Sequence, residues 1–212
     1  TLIVTQPKFI IALNSFLTRH TIDDIKTLLR WDTFVSSANR LTEKIEIANW
    51  EFYSNYLRGT KERKPAKERA LGVVNNNLGE ALGKLYVDAK FPSEAKENAE
   101  EMIANIITAY QARIHLLEWM SDKTKTKAIE KLDEFTVKIG YPDTWEDYST
   151  MEIKKSNTYF ENITAVNRWA FTKNLSEIGE PVDKTEWGMS PQTVNAYFNP
   201  LNNEIVFPAA IL

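Results

Sequence analysis

The sequence contains no cysteine, which excludes disulfide bonds, thiolate nucleophiles and zinc sites built from cysteine. It holds only two histidines, His20 and His115, and they form neither H-E-x-x-H nor any other closely spaced pair. No run approaches the roughly 20 consecutive apolar residues that a membrane-spanning helix needs. The residues therefore predict neither a zinc site nor a membrane segment within this chain.

The sequence also lacks a large excess of positive or negative charge. The net charge is −3 and the isoelectric point about 5.6, so the chain lacks the strong positive field that nucleic acid or an anionic membrane requires. The sequence therefore predicts no nucleic-acid partner. By contrast, six tryptophans, eight tyrosines and ten phenylalanines among 212 residues require a hydrophobic core. The length and the composition indicate a globular protein of one or two domains.

Apolar residues at helical spacing predict that most of the chain is helical. Thr21 is expected to cap a helix, because its hydroxyl can accept a backbone N–H and two carboxylates follow it. Gly59 is expected to end that helical stretch, and Ser93 to cap a later helix that carries a long apolar stripe. Pro65 suits the first turn of a helix. The predicted helical segments are 8–18, 21–57 with breaks, 71–86, 93–117, 122–138 and 151–177.

Glycine is uncommon, with seven residues, so the few glycines inside helical patterns are informative. Gly79 and Gly83 do not form a phosphate-binding loop, because they lie within a helical pattern; they are expected to permit close helix packing. Residues 1–4 form a short β-branched run before Pro7.

The C-terminal residues change to a period of two. Residues 193–199 and 204–207 are rich in strand-forming residues, and the turn-forming segment P-L-N-N separates them, which predicts a β-hairpin. A two-stranded hairpin alone is only marginally stable, so the chain is expected to be truncated after it. The alternation predicts that two groups of residues lie on opposite faces of the strand. One face would carry Val194, Ala196 and Phe198, and the other Asn195, Tyr197 and Asn199.

Candidate groups for catalysis are few. His115 and Glu118 lie one helical turn apart and could supply two metal ligands, but a helical histidine with a hydrogen-bond partner is the simpler interpretation. His20 is expected at the surface. No serine lies in G-x-S-x-G, and the acidic pairs 23–24 and 100–101 fit solvated helix faces or helix N-termini. The sequons that begin at Asn162 and Asn174 are common by chance.

The hairpin is the remaining candidate site. An edge strand can receive an extended peptide by β-augmentation, and the amide of Asn195 would add a hydrogen-bond donor and an acceptor. An ordinary hairpin with outward polar residues explains the same pattern.

Several segments of the sequence resemble the neprilysin family of gluzincin-type zinc metallopeptidases, which includes endothelin-converting enzymes and the bacterial endopeptidase O group. V-N-A-Y-F-N-P (194–200) followed by N-E-I-V-F-P-A (203–209) resembles the substrate-strand signature of that family. The resemblance extends over essentially the whole chain, in family order. The other matching segments are L-G-E-A-L-G-K-L-Y-V (78–87), W-M-S-D-K-T-K-T-K-A (119–128), I-G-Y-P-D (139–143), Y-F-E-N (159–162) and W-x-M-x-P (187–191).

The resemblance implies a mainly α fold: the multi-helix cover lobe of a two-lobed gluzincin peptidase, with a C-terminal β-hairpin that belongs to the catalytic lobe. Residues 1–186 would form the cover lobe and interlobe helices, and residues 187–212 would begin a truncated catalytic lobe. In the family, the asparagine of the motif hydrogen-bonds the substrate main chain and the following alanine makes main-chain contacts. These roles are implied for Asn195 and Ala196, with Tyr197 at the aromatic position beside them.

The family's H-E-x-x-H, its downstream glutamate ligand and its later histidine and arginine are not in this sequence. The resemblance therefore implies zinc in the intact parent enzyme, none bound by this segment, and no catalytic residue in this chain. The expected mechanism is attack of zinc-activated water on a peptide bond, so the chain alone is predicted to be inactive. Its expected partners are an oligopeptide substrate and the missing C-terminal catalytic segment.

The absence of cysteine suits the bacterial, often cytoplasmic, members of the family, and an exported bacterial form stays open. Two other interpretations stay open for the isolated chain. It could be a non-catalytic helical module that binds extended peptides by β-augmentation on residues 193–199. It could also be a helical scaffold in which the hairpin is an ordinary edge.

Overall fold

The computed structural model describes residues 3–212, so the β-branched run at 1–4 lies partly outside the described residues. The fold is mainly α, as the sequence predicts, and it contains a small three-stranded sheet where the sequence predicts only a two-stranded hairpin. The helices are α1 (Pro7–Arg19), α2 (Ile22–Ser37), α3 (Glu43–Trp50), α4 (Ala66–Asn77), α5 (Gly79–Lys90), α6 (Ser93–His115), α7 (Asp122–Asp133) and α8 (Tyr159–Ser176). The strands are β1 (Thr136–Gly140), β2 (Tyr197–Asn199) and β3 (Glu204–Pro208).

The chain divides into two compact units. The first comprises Thr1–Lys64 and Glu152–Arg168, and the second comprises Pro65–Met151 and Trp169–Leu212. Within residues 3–212, no helix is both long and apolar enough to cross a membrane.

The first unit begins with α1 and α2. Thr21 caps α2 as predicted, because its hydroxyl accepts the N–H of Asp24 at 3.2 Å while the Asp24 carboxylate accepts the N–H of Thr21 at 3.1 Å. A 3₁₀ turn separates α2 from α3, and a π-helical segment, Glu51–Tyr56, follows α3. Gly59 ends this stretch with φ of +71°, a conformation that favours glycine.

The second unit holds the sheet. Val206, at the centre of β3, is fully buried. A hydrophobic cluster joins Val87 of α5, Phe91 just after that helix and Ala209 of the last 3₁₀ turn. Gly83 of α5 confirms the predicted close packing, because a Cβ there would lie 2.6 Å from Cδ of Pro191. The neighbour is a loop, residues 190–192, and not another helix.

The sequence pattern predicts a helix over 122–138, and this prediction is wrong for the last residues of that segment. The helix α7 ends at Asp133, and residues 136–140 form β1, which pairs in parallel with β3. The segment T-V-K-I-G is rich in β-branched residues, which favour a strand once a partner strand is available. The sequence suggested an isolated two-stranded hairpin. The pairing with β1 gives the hairpin of β2 and β3 a third strand instead.

Three helix starts also differ from the predictions. The helix α8 begins at Tyr159 and not near 151, because Thr158 and Glu161 form a capping box: the carboxylate accepts the Thr158 N–H at 2.7 Å and the hydroxyl accepts the Glu161 N–H at 3.2 Å. Ser93 is the first residue of α6 and makes no capping bond, since Pro92 occupies the cap position. Pro65 is likewise the cap residue of α4 and not part of its first turn.

The apolar stripe of α6 predicts a buried face, but of its residues only Ala99 is buried among those described. Met102 and Tyr110 are more than half exposed. The helical spacing is therefore correct, while the burial that it usually signals is not found within residues 3–212.

Candidate functional site

The strand β2 lies at one edge of the sheet, whose order is β1-β3-β2. It pairs antiparallel with β3 through Tyr197–Val206, Phe198–Ile205 and Asn199–Glu204. Within residues 3–212 its other edge carries no strand, so its outward backbone groups could pair with an extended chain. The predicted hairpin is thus confirmed, with a first strand shorter than the 193–199 that the alternation indicated.

Asn195 precedes β2 and is exposed. Its own N–H donates to the carbonyl of Thr193 at 2.9 Å, and its side-chain Oδ1 accepts the N–H of Ala196 at 2.8 Å. The acceptor atom of the amide is therefore used locally, which fixes the orientation of the amide plane. Among the described residues, the Nδ2 group has no hydrogen-bond partner, so it can donate to a ligand.

Tyr197 faces the protein. Its hydroxyl accepts the N–H of Gly188 at 2.8 Å, and a Cβ at Gly188 would lie 3.2 Å from that hydroxyl oxygen. Burial raises the pKa of the Tyr197 phenol, so the ring stays neutral and serves as an acceptor for this bond. Tyr197 thus anchors the start of β2 to the loop that contains Gly188.

The apolar side of the predicted alternation is the more exposed one, contrary to the usual pattern. Val194 is 77% exposed, while Phe198 is 46% exposed and stacks on Phe135 at a ring separation of 5.9 Å. Residues 193–196 lie outside the strand, with a bend at Val194, so the period of two does not continue through them. An apolar group at 194 is therefore available beside the Asn195 amide.

A buried ion pair joins β1 to β3, the central strand of the sheet. Nζ of Lys138, in β1, lies 2.7 Å from Oε2 of Glu204, in β3, and both side chains are more than 90% buried. Nδ2 of Asn199 donates to the other oxygen of that carboxylate at 3.4 Å. The sequence patterns did not predict this pair; its signal was a single charged residue within each of two β-branched runs.

An acidic cleft of about 850 Å³ lies in the second unit alongside β2. Tyr197, Asn199 and Lys173 line this cleft. Lys173 forms ion pairs with Glu146 and, at 3.4 Å, with Glu186. Burial is the largest single influence on Lys173 and lowers its pKa, but the two carboxylates together raise that pKa above its ordinary value. The lining carboxylates are Glu80, Glu146, Asp147, Glu177, Glu180, Asp183, Glu186 and Glu204.

The two histidines belong to different units, and each is exposed. His20 is exposed, as predicted, and packs on Phe16 with ring centroids 4.4 Å apart. His115 is exposed near the end of α6, where its carbonyl accepts a hydrogen bond from Lys125 at 3.0 Å. Across residues 3–212, no three histidine, aspartate or glutamate side chains converge as a metal site.

The family model described as Peptidase family M13 matches residues 1–142. Neprilysin from Mus musculus is 33% identical over 220 residues, which cover 99% of this chain and 29% of that protein. The open state of the zinc metalloprotease ZMP1 from Mycobacterium tuberculosis has a TM-score of 0.89 at 38% identity, over 100% of this chain and 32% of that one. PEPO from Lactobacillus rhamnosis has a TM-score of 0.77 at 27% identity, over 84% and 28%.

The chain thus spans about three tenths of the length of the curated relatives that it matches. The similarity covers essentially the whole chain, as the sequence resemblance predicted. The chain therefore belongs to peptidase family M13, the family of the neprilysin-like zinc metallopeptidases.

Proposed function

We propose that this chain is a segment of a zinc-dependent endopeptidase that hydrolyses oligopeptides. In this proposal the segment supplies part of the cavity wall and the substrate-pairing strand, and a further C-terminal segment supplies the zinc ligands and the catalytic groups. The observation that carries it is the position of β2 at a sheet edge, with Asn195 and Ala196 leading into it, in a chain of family M13.

The geometry supports a specific role for each residue. Because Oδ1 of Asn195 accepts the Ala196 N–H, the Nδ2 group is the atom that would donate to a substrate carbonyl. Ala196 would contribute its main-chain carbonyl, and Tyr197 would hold the strand in place through Gly188. Substrate binding would then be β-augmentation, in which main-chain bonds give affinity and side-chain pockets give preference.

Zinc, when bound by the parent enzyme, would activate the water that attacks the peptide bond. In this proposal the zinc ligands come from the further C-terminal segment, so no residue of this chain is assigned to that step. We further propose that residues 1–186 form the cover lobe and interlobe helices and that residues 187–212 begin the catalytic lobe. The cysteine-free sequence supports a bacterial, cytoplasmic enzyme, with an exported bacterial form as the alternative.

The test is peptide hydrolysis by the full-length protein that carries this chain. A fluorogenic oligopeptide should be cleaved, the activity should disappear with a chelator, and added zinc should restore it. The 212-residue chain, assayed beside it, should show no hydrolysis. Hydrolysis that survives complete removal of zinc would contradict the proposal.

A second candidate function is non-catalytic binding of extended peptides by the chain itself. The observation in its favour is that β2 and its outward edge are formed by this chain alone. It predicts saturable peptide binding by the 212-residue chain that Asn195→Ala weakens and that zinc does not change. Absence of such binding leaves the peptidase segment as the better description.

A further inference from the structure

Lys138 occupies an unusual position, because its ammonium group is buried at the centre of the strand β1. Besides the 2.7 Å contact with Glu204, Nζ donates to the main-chain carbonyl of Glu186 at 2.8 Å. One buried cation thus holds both the central strand of the sheet and the loop that precedes β2. This arrangement lies wholly within the second unit.

Both ends of β2 are connected to these two contacts. At its C-terminal end, Asn199 bonds the same Glu204 carboxylate that Lys138 contacts. At its N-terminal end, Tyr197 accepts the N–H of Gly188, two residues after the carbonyl that Lys138 binds. The edge strand is therefore held at its C-terminal end by a carboxylate that Lys138 contacts, and at its N-terminal end by Gly188, two residues from the carbonyl that Lys138 contacts.

Stability alone does not account for such a pair. Removing two charges from water is costly, and well-packed apolar residues of similar volume often stabilise a protein as well or better. What apolar residues cannot reproduce is the set of directed bonds to the Glu186 carbonyl and, through Glu204, to Asn199. The contribution specific to the pair is thus the placement of β2.

We propose that Lys138, acting through Glu204 and the Glu186 carbonyl, is a positioning residue for the substrate-pairing strand. The inference rests on the proposed function for its effect on catalysis, while its effect on β2 stands on the geometry alone. In this role Lys138 does not touch substrate. It sets the place of Asn195–Asn199, along which the peptide lies.

The test uses the full-length protein and two variants at the pair. Lys138→Met alone leaves a buried carboxylate unpaired, whereas Lys138→Met with Glu204→Met replaces the pair by apolar residues of similar volume. The double variant is expected to unfold at a denaturant midpoint close to that of the unmodified protein. Its kcat/KM for an oligopeptide should nevertheless fall about 100-fold, because small misplacements of a binding group cost this much, with its zinc content unchanged.

A second readout does not depend on activity. Amide hydrogen exchange at residues 197–199 should be faster in the double variant than in the unmodified protein, while exchange in α7 should stay the same. Lys127→Met is the matched control, because it removes a lysine from an exposed ion pair with Glu130 on α7. This control should stay within about twofold of the unmodified protein in kcat/KM and show unchanged exchange at 197–199.

Unchanged exchange at residues 197–199 together with normal kcat/KM in the double variant would overturn the proposal, since the pair would then be merely structural. If the double variant does not fold, Lys138→Arg is the variant that tests the proposal. A lower kcat/KM with altered amide exchange at 197–199 supports the positioning role of Lys138, and no change in either measurement overturns it. If the unmodified protein cleaves no peptide but the variants still speed exchange at 197–199, the proposed peptidase function fails while the role of Lys138 in placing β2 stands.

Discussion

At the scale of single residues, the side-chain amide of Asn195 carries the most specific expectation. Asn195→Ala removes the Nδ2 donor and should lower kcat/KM by an amount equivalent to about 1–3 kcal/mol, the cost of a buried peptide group left without a partner. Asn195→Asp should be at least as damaging, because it keeps an oxygen for the Ala196 N–H but replaces the donor by a second carboxylate oxygen, which would repel the substrate carbonyl. Steady-state kinetics of the full-length protein with an oligopeptide measure both.

Asn174→Asp is the matched control for these variants. Asn174 is exposed on α8, and the same chemical change there should leave kcat/KM unaltered. Full activity of Asn195→Asp would show that Nδ2 does not donate to the substrate.

The glycines of α4 and α5 give a second residue-scale prediction. Gly83→Ala should destabilise the chain by about 1–3 kcal/mol, because the added Cβ would lie 2.6 Å from Cδ of Pro191 and 2.9 Å from Oε1 of Gln192. Gly72→Ala has open space within 4 Å and should stabilise it by about 0.5–1 kcal/mol. Urea unfolding of the 212-residue chain gives both values, and equal effects of the two substitutions would contradict the packing described for Gly83.

At the scale of elements, the start of α2 should respond to acid. Hydrogen bonds from the Thr21 side chain and backbone lower the pKa of Asp24 below its ordinary value of 3.8. A carboxyl with a lowered pKa adds stability above its unfolded-state pKa and loses it as the pH falls through the folded-state value. The advantage of the unmodified chain over Asp24→Asn should therefore be present at neutral pH and shrink below about pH 4.

The measurement for this prediction is the urea midpoint as a function of pH. Asp32→Asn is the control, because Asp32 lies exposed within α2 and takes no part in the cap. It should follow the pH dependence of the unmodified chain. A stability difference between the unmodified chain and Asp24→Asn that grows on acidification would contradict a lowered pKa for Asp24.

Elements with local signals could be predicted from the sequence, whereas those that depend on distant partners could not. The cap at Thr21 and the helix end at Gly59 follow from residues within one turn, and the structure confirms both. The strand β1 depends on pairing Thr136 with Glu204, 68 positions later, and no local pattern reports such a partner. Without that partner, the segment simply continues the helical pattern that precedes it.

The candidate site divides in the same way. Asn195, Ala196 and Tyr197 were identified through the family resemblance, and their proposed roles in binding substrate stay predictions. The Lys138–Glu204 pair could not be identified, because its two members become neighbours only when β1 pairs with β3. The acidic cleft likewise gathers carboxylates from α5, β3 and several loops, which are distant in sequence.

At the scale of the whole molecule, the work of one enzyme would be divided between segments. This chain, which spans about three tenths of its curated relatives, would contribute the wall and the edge strand, and the zinc ligands would lie elsewhere. Under the proposed function, exposed apolar side chains on α6, such as Met102 and Tyr110, would pack against the further segment.

The zinc content per polypeptide tests this division most directly. It should be measured by elemental analysis for the full-length protein and for the 212-residue chain, purified and dialysed side by side. We expect about one zinc per full-length polypeptide, as a single catalytic zinc site requires, and close to none for the 212-residue chain. A full equivalent of zinc on the 212-residue chain, or none on the full-length protein, would contradict the division.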